Sequence, residues 1–322
     1  GKSRLVYEFL SRLSAERVTW FLAQTDQLLR ESLNPFRYWL RHYFGISDQA
    51  GEARNKRSFT AKLDELISAA SRELAEELER TRTCLGALLG LRWPGSFYEQ
   101  LDAEARYQNT LIGLTALLQA ESLRQPIILF IEDLQWLDDD SAGYVPRLLR
   151  SLSADEHQSY PIALIATSRY EEQKLPIETL PHQQIDRARL DREALAALLE
   201  FQLGGRGSES LLDLIESRAE GNPFFAEQIL RYAREENLLI EQAGLWSFAQ
   251  HENLPSLPAD VNAILIARLD QLVQEVKETV QTAAILGREF EVRILARLLE
   301  IQEIRLGDLT SAVGAAEHEA IW

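Results

Sequence analysis

Glu132 and Asp133 stand in the middle of the segment Ile127 to Ser141, IILFIEDLQWLDDDS. Five apolar residues, Ile127 to Ile131, run directly into the two acids. So short an apolar run suits a strand covered on both faces, as in a parallel sheet. Such sheets bind ligands beyond the carboxyl ends of their strands. Two carboxylates at that place are costly unless something pairs them. A divalent cation carrying phosphates would do so; the other reading is a strand that ends in a polar loop.

Two more stretches carry chemistry of the same kind. Gly1-Lys2-Ser3 opens a helical pattern, with Leu5, Val6, Phe9, Leu10 and Leu13 on one face. G-K-S before a helix is the tail of G-x-x-x-x-G-K-[ST]. In that motif loop amides and the helix N-terminus hold phosphate, the lysine (Lys2) reaches the β/γ-phosphates, and the hydroxyl (Ser3) coordinates Mg²⁺. Three residues by themselves also fit the remnant of an expression tag. Pro161 to Ala166, PIALIA, is a further apolar strand ending in Thr167-Ser168-Arg169. Hydroxyls there would hydrogen-bond a phosphate and Arg169 would stabilise γ-phosphate charge; Arg169 paired with an acid such as Glu171 is the alternative.

The elements that must position these residues can be read along the chain. Arg17 to Ala23 is predicted as a strand, and Phe36, Tyr38, Trp39, Tyr43 and Phe44 as aromatics packing a helix against the core. Gly45 to Arg57 reads as a polar loop. Leu63, Leu66, Ile67, Ala70, Leu74 and Leu78 then recur at helical spacing, and after a break at Arg92 to Gly95 a second helix runs from about Tyr98 to Ala120. A βαβ crossover needs little more than about 30 residues, so this block is expected to be a helical insertion. Asp140 or Ser141 is expected to cap the helix after the acids, and Trp136 to pack in the core.

Further on, Gln183 to Ile185 is a candidate last strand and Gly204 to Gly207 a helix–helix connection. Helices are expected from Leu190, from Glu209 to Ala219 (ending at Gly221) and from Pro223 to about Glu235, with a hairpin over Leu238 to Phe248. Pro255 and Pro258 mark a boundary. Three helical stretches follow, carrying Val261, Ile264, Leu265 and Leu269; Val276, Val280, Ala283 and Ala284, closed by Gly287; and Val292, Leu295, Leu298 and Leu299. They fit the start of a winged helix.

The 322 residues suggest two or three domains, with enough length for a sizeable core. No run approaches the roughly 18 apolar residues of a membrane span, and there is no signal-peptide pattern. Cys84 is the single cysteine, so no intrachain disulfide can form and a cytoplasmic location is expected. The five histidines form no metal-ligand pair. A net charge of −16 disfavours nonspecific binding of nucleic acid or anionic membrane. The chain contains no methionine and begins Gly1-Lys2-Ser3, so it is expected to be a piece of a longer protein with positions missing.

Taken in order, GKSRL, IEDLQWLDDDS, ATSR, EGNPFFAEQIL, LPADVNAILIARLDQL and AAILGREF resemble the STAND branch of AAA+-like P-loop ATPases, the signal-transduction ATPases with numerous domains. The likeness is to bacterial ATPase modules fused to kinases, adenylate cyclases or LuxR-type regulators. It implies an α/β P-loop parallel sheet over residues 1–190, with a helical insertion at about 30–122, then a helical lid over 191–254 and a winged-helix-like part over 255–322. Gly1, Lys2 and Ser3 would bind phosphate, with Ser3, Glu132 and Asp133 at Mg²⁺. Glu132, in its Walker B place, and Asp133 would activate water, Arg169 would sense the γ-phosphate, and Pro223 would pack on adenine. Glu-Asp replaces the Asp-Glu order of many relatives, which leaves the division between the two acids open.

The resemblance implies an ATP/ADP-controlled switch that hydrolyses slowly and associates with itself or with protein partners through flanking domains. The competing classes are a nucleotide-binding scaffold without turnover, a DNA-acting origin-recognition-like ATPase, and the ATPase module of a transcription regulator.

Overall fold

The structure is a computed structural model that describes residues 2–13, 17–27, 30–47, 49–153, 159–169, 177, 181–186, 188–249, 266, 269–270, 272–286 and 292–301. The chain divides into two compact units, residues 2–186 and 187–322.

In the first unit, helix α1 (Lys2–Leu13) precedes strand β1 (Thr19–Gln24), which starts two residues later than the expected Arg17. Helices α2 (Asn34–Tyr43), α3 (Glu52–Ala69), α4 (Arg72–Leu88), α5 (Phe97–Gln100) and α6 (Ala103–Arg124) follow. Strand β2 (Ile127–Glu132), a single 3₁₀ turn (Leu134–Trp136), helix α7 (Asp139–Ser153) and strand β3 (Ile162–Ala166) complete it. The strands form one parallel sheet in the order β1-β2-β3, with Glu132 paired to Gln24 and Ile131 to Ala166.

Successive residues of a strand face opposite sides, and β2 shows this in its neighbours. Ile127, Leu129 and Ile131 join the main core with α2, α3, α4, α6 and α7, while Ile128 and Phe130 pack on Val6 and Leu10 of α1. A strand walled on both sides has to be apolar throughout, and this one is until Glu132. The five-residue apolar stripe expected on α1 is wider than its contact, since Leu5 and Phe9 remain 42% and 44% exposed.

Phe36, Trp39, Tyr43 and Phe44 pack against the core as expected, whereas Tyr38 meets His42 of its own helix. Phe21 of β1 stacks on Trp39 with centroids 4.6 Å apart, and Phe36 meets Tyr144 of α7 edge-on at 4.9 Å. The Tyr43 hydroxyl donates to Glu121 of α6; burial first, then this carboxylate, pushes the phenol far above its usual range.

The expected polar loop over Gly45 to Arg57 is shorter in the structure, because α3 begins at Glu52. Glu52, Ala53 and Arg54 are solvent-exposed on the helix, so the polarity marked a wet helical face. The long helical run also breaks, at Ala70-Ser71, where the Ser71 hydroxyl accepts from the Leu74 amide. The helix expected from Tyr98 starts at Ala103, where the Asp102 carboxylate accepts from the Ala105 amide at 2.8 Å. An N-cap carboxylate meets an otherwise unsatisfied first-turn donor, and this outweighed the apolar spacing.

The cap of α7 is Asp138 rather than Asp140 or Ser141. Its carboxylate receives the Ser141 amide at 2.9 Å and the Ser141 hydroxyl at 2.6 Å, and also the amide of Leu33 at 3.0 Å. Leu33 sits in the left-handed region at φ 55°, costly for a branched side chain. One buried carboxylate thus fixes a helix start and a strained turn 105 residues away.

In the second unit, α8 (Arg192–Leu203), α9 (Glu209–Ala219) and α10 (Pro223–Glu235) share a core of Leu195, Leu199, Leu211, Ile215, Ala226 and Ile229. Arg192 ties α8 to α9 through Glu209, Asp213 and Glu216. Gly204 to Gly207 is more than a helix connection: Arg206–Gly207 forms a short strand, β4, parallel to β6 (Leu245–Phe248), which pairs with β5 (Leu239–Gln242) in the expected hairpin. The hairpin turns at Ala243 and Gly244, both at positive φ.

Residues 183–185 are irregular, not a strand. Helices Gln274–Leu286 and Val292–Ile301 pack through Ala283, Leu295 and Leu299. Gly1, Glu171, Pro255, Pro258, Val261, Ile264, Leu265 and Gly287 lie outside the described residues. No helix among the described residues is long and apolar enough to cross a membrane.

The α4–α6 contact gives a test with opposite signs. A Cβ on Gly113 would lie 2.9 Å from both Leu85 and Thr81 of α4, whereas one on Gly143 of α7 would meet nothing within 4 Å. Gly113→Ala is expected to cost about 1–3 kcal/mol by overpacking. Gly143→Ala is expected to stabilise by about 0.4–1 kcal/mol through lost unfolded-state entropy. Urea midpoints of the two variants check both.

Candidate functional site

The carboxyl ends of β1, β2 and β3 deliver Gln24, Glu132 and the Thr167–Arg169 segment to one edge of the sheet. The first turn of α1 reaches the same edge, because the Ser3 hydroxyl donates to Glu132 Oε1 at 2.7 Å. These two residues are 129 positions apart in sequence. Lys2 is the first helical residue of α1, and no acid occupies the first turn. Its free amides and positive dipole end are therefore not compensated by a carboxylate of that turn, as a phosphate-binding helix start requires.

Past Glu132 the backbone changes hand. Asp133 adopts the left-handed conformation, φ 54° and ψ 59°, before the 3₁₀ turn. Aspartate tolerates this region better than most residues, but hydrogen bonds also fix it here. Thr25, only 2% exposed, donates its hydroxyl to the carbonyls of Glu132 (2.8 Å) and Asp133 (3.1 Å). From the other side the Asp133 amide donates to the Thr167 hydroxyl at 3.1 Å, and the Leu134 amide to the Thr167 carbonyl at 2.8 Å. The Gln135 side chain donates to Asp133 Oδ1 at 3.2 Å and accepts the Arg169 amide at 3.0 Å and the Ser168 hydroxyl at 3.2 Å.

Ser3, Glu132, Asp133 and Arg169 are thus brought to one edge, with Lys2 adjoining Ser3 in the chain. Pro223 belongs to the other unit, where it opens α10 behind an Asn222 cap. The Arg169 guanidinium lies over the Trp136 ring, 5.2 Å from its centroid. Trp136, expected to pack in the core, is half-buried under this cation.

Gln24, Thr25 and Gln135 were not singled out from the sequence. Each is a polar residue within three positions of the end of an apolar strand, which was the available signal.

The family model described as AAA ATPase domain matches residues 1–165, just over half of the chain. The chain belongs to the AAA ATPase domain family. No curated protein and no solved structure gives a match. The AAA domain match spans α1, the helical block and both acids, and ends just before Thr167. Together with the three-stranded parallel sheet it supports an α/β P-loop module that binds nucleotide, of the ATPase kind.

An AAA domain's nucleotide carries Mg²⁺, and the residues present fit that ion. A hydroxyl and a carboxylate are hard oxygen donors, and Gln24 Oε1, beside Glu132 in the register, is a buried carbonyl oxygen with no hydrogen-bond partner. No group of three or more His, Cys, Asp or Glu forms a metal cage among the described residues. Mg²⁺ on phosphates needs only one or two protein ligands.

Thr25 and Thr167 hold the same peptide unit from opposite sides. Thr25→Val and Thr167→Val are each expected to destabilise the first unit by about 1–3 kcal/mol, through unsatisfied buried backbone groups. In the double variant the two losses should depart from additivity. Chemical denaturation of the three variants measures this.

Proposed function

We propose that this AAA ATPase module is a STAND-class switch: it binds ATP, hydrolyses it slowly and changes state with the bound nucleotide. The observation that carries the reading is the Ser3–Glu132 hydrogen bond, which joins the start of α1 to the carboxyl end of β2. That contact brings the start of α1, which on this reading binds phosphate, to an acidic strand end 129 residues further on.

On this reading Lys2, the α1 amides and Gly1 hold the β/γ-phosphates. Ser3 and Glu132 hold Mg²⁺, which when bound neutralises phosphate charge and polarises the γ-phosphoryl group. Asp133, aimed by its left-handed backbone, orients the attacking water and accepts its proton. Glu132 engages Ser3 while Asp133 engages Gln135, and this supports dividing the acids into a metal ligand and a base. Arg169 reads the γ-phosphate after leaving Trp136. Positioning by fixed groups accounts for most phosphoryl-transfer catalysis.

The remaining parts of the reading rest on the family resemblance. Residues 191–254 act as the lid, with Pro223 against adenine, and residues 255–322 as a winged-helix-like part. ADP keeps them closed and ATP opens them for self-association or partner binding. The module works in the cytoplasm.

Three measurements test this. Asp133→Asn keeps a side chain that favours the left-handed region, so the fold should persist and ATP should still bind. Its phosphate release should fall about 10²–10⁴-fold, as for loss of a general base. Glu132→Gln should weaken nucleotide binding only when Mg²⁺ is present. Light scattering of the wild type should give a larger mass with ATP than with ADP. Equal, negligible phosphate release by the wild type and Asp133→Asn would instead favour a non-hydrolysing scaffold.

A further inference from the structure

The 3₁₀ turn after Asp133 contacts the Thr167–Arg169 segment through each of its residues. Leu134 gives its amide to Thr167, Gln135 engages Ser168 and Arg169, and Trp136 lies under the Arg169 guanidinium. Gln135 is also the residue that reaches across to the Asp133 carboxylate, and it is only 9% exposed.

Its amide can point only one way. A backbone N–H is a donor and nothing else, so the atom facing Arg169 has to be Oε1. Nε2 is then directed at Asp133 Oδ1, which must accept. One side chain therefore receives the strand end with its oxygen and holds the carboxylate with its nitrogen.

We propose that Gln135 is a positioning residue for hydrolysis, making the Asp133 carboxylate and the Ser168–Arg169 strand end a single mechanical unit. The proposal rests on the reading of Asp133 as the group that orients water. Thr25 and Thr167 fix the backbone of Asp133, but a carboxylate can still turn about its own side-chain bonds. A donor at 3.2 Å from Oδ1 selects one orientation. Because the same amide takes the Arg169 N–H, a movement of the strand end towards or away from phosphate is passed to that orientation. The carboxylate is aimed only when the segment carrying the phosphate-reading arginine is seated. Outer contacts that orient metal ligands are worth about 10- to 100-fold in affinity or activity, and a loss of the same order is expected for a contact that orients the base.

Two substitutions separate the two arms of the amide. Gln135→Leu removes both. Gln135→Glu keeps an acceptor for Arg169 and Ser168 and, once ionised, presents Asp133 with a carboxylate that has no proton to give; two carboxyls this close raise one of the two pKa values, so the ionised form is the one compared. Three readouts on the full chain, followed from pH 7 to pH 9, are needed: steady-state ATP hydrolysis, amide hydrogen exchange at Arg169, and the carboxyl ¹³C resonance of Asp133.

In Gln135→Leu the Arg169 amide should exchange faster, the Asp133 resonance should move, and kcat should fall about 10- to 100-fold with KM for ATP changed less than twofold. In Gln135→Glu the Arg169 amide should stay as protected as in wild type, while the Asp133 resonance moves and kcat falls as far as in Gln135→Leu. A wild-type kcat in Gln135→Glu, or an unchanged Arg169 exchange rate in Gln135→Leu, would overturn the proposal. A fall in kcat that tracks a lowered Tm in both variants would reduce Gln135 to a packing role and overturn it too. A wild-type chain that binds ATP without turnover would remove Asp133 as a base; exchange and the ¹³C shift would then decide the Gln135 linkage.

Discussion

A strand buried on both faces cannot carry a carboxylate far into the core, so the chain has to leave the sheet within a residue or two of its first acid. Here it does so by reversing backbone hand at Asp133. The left-handed conformation swings the acid off the strand axis and starts the 3₁₀ turn that supports β3's end. Thr25 from β1's end and Thr167 from β3's end hold the turn from either side. Because β1 and β3 flank β2 in parallel, two hydroxyls arrive at the same depth on both sides of one peptide. Parallel topology therefore does more than gather residues at one edge; it brackets the reversal.

The helical block between β1 and β2 answers a different constraint. Alternate residues of β2 belong to two cores, and α1 is a single helix on one of them. The other face takes α2, α3, α4, α6 and α7, with wholly buried Phe36, Phe59, Leu63, Leu78 and Leu114. The close approach of α4 and α6 at Gly113 makes that wall tight. Asp138 then ties the end of the wall to its beginning, since its carboxylate serves both α7 and Leu33.

Much of this could be read from residue types because it follows from burial. Ile127 to Ile131 had to be a two-faced strand, and the apolar residues at helical spacing from Leu63 to Leu78 had to face the core. Capping outcomes were harder. The competition among Asp138, Asp140 and Ser141 was decided by Leu33, whose amide needed a buried acceptor 105 residues away. The polar start of α3 looked like a loop because a solvated helix face and a loop share their composition. Arg169 had two readings, a phosphate or Glu171, and it rests on Trp136, a ring three residues past the reversal at Asp133. Gln135 carried only its place just past an apolar strand end, since its role depends on a segment more than thirty residues on.

The contact between Ser3 and Glu132 also sets the order in which the molecule can be made. Ribosomes release the chain from its start, so the α1 serine is synthesised long before its acid, with the whole helical block between them. Joining residues some hundred apart rather than some ten costs only about 2 kcal/mol more in loop entropy, and the block's own local helices shorten the gap as they form. Yet parallel pairing across such a distance is slow compared with helix packing. The locally closing helices are therefore expected to form ahead of the contact between Ser3 and Glu132.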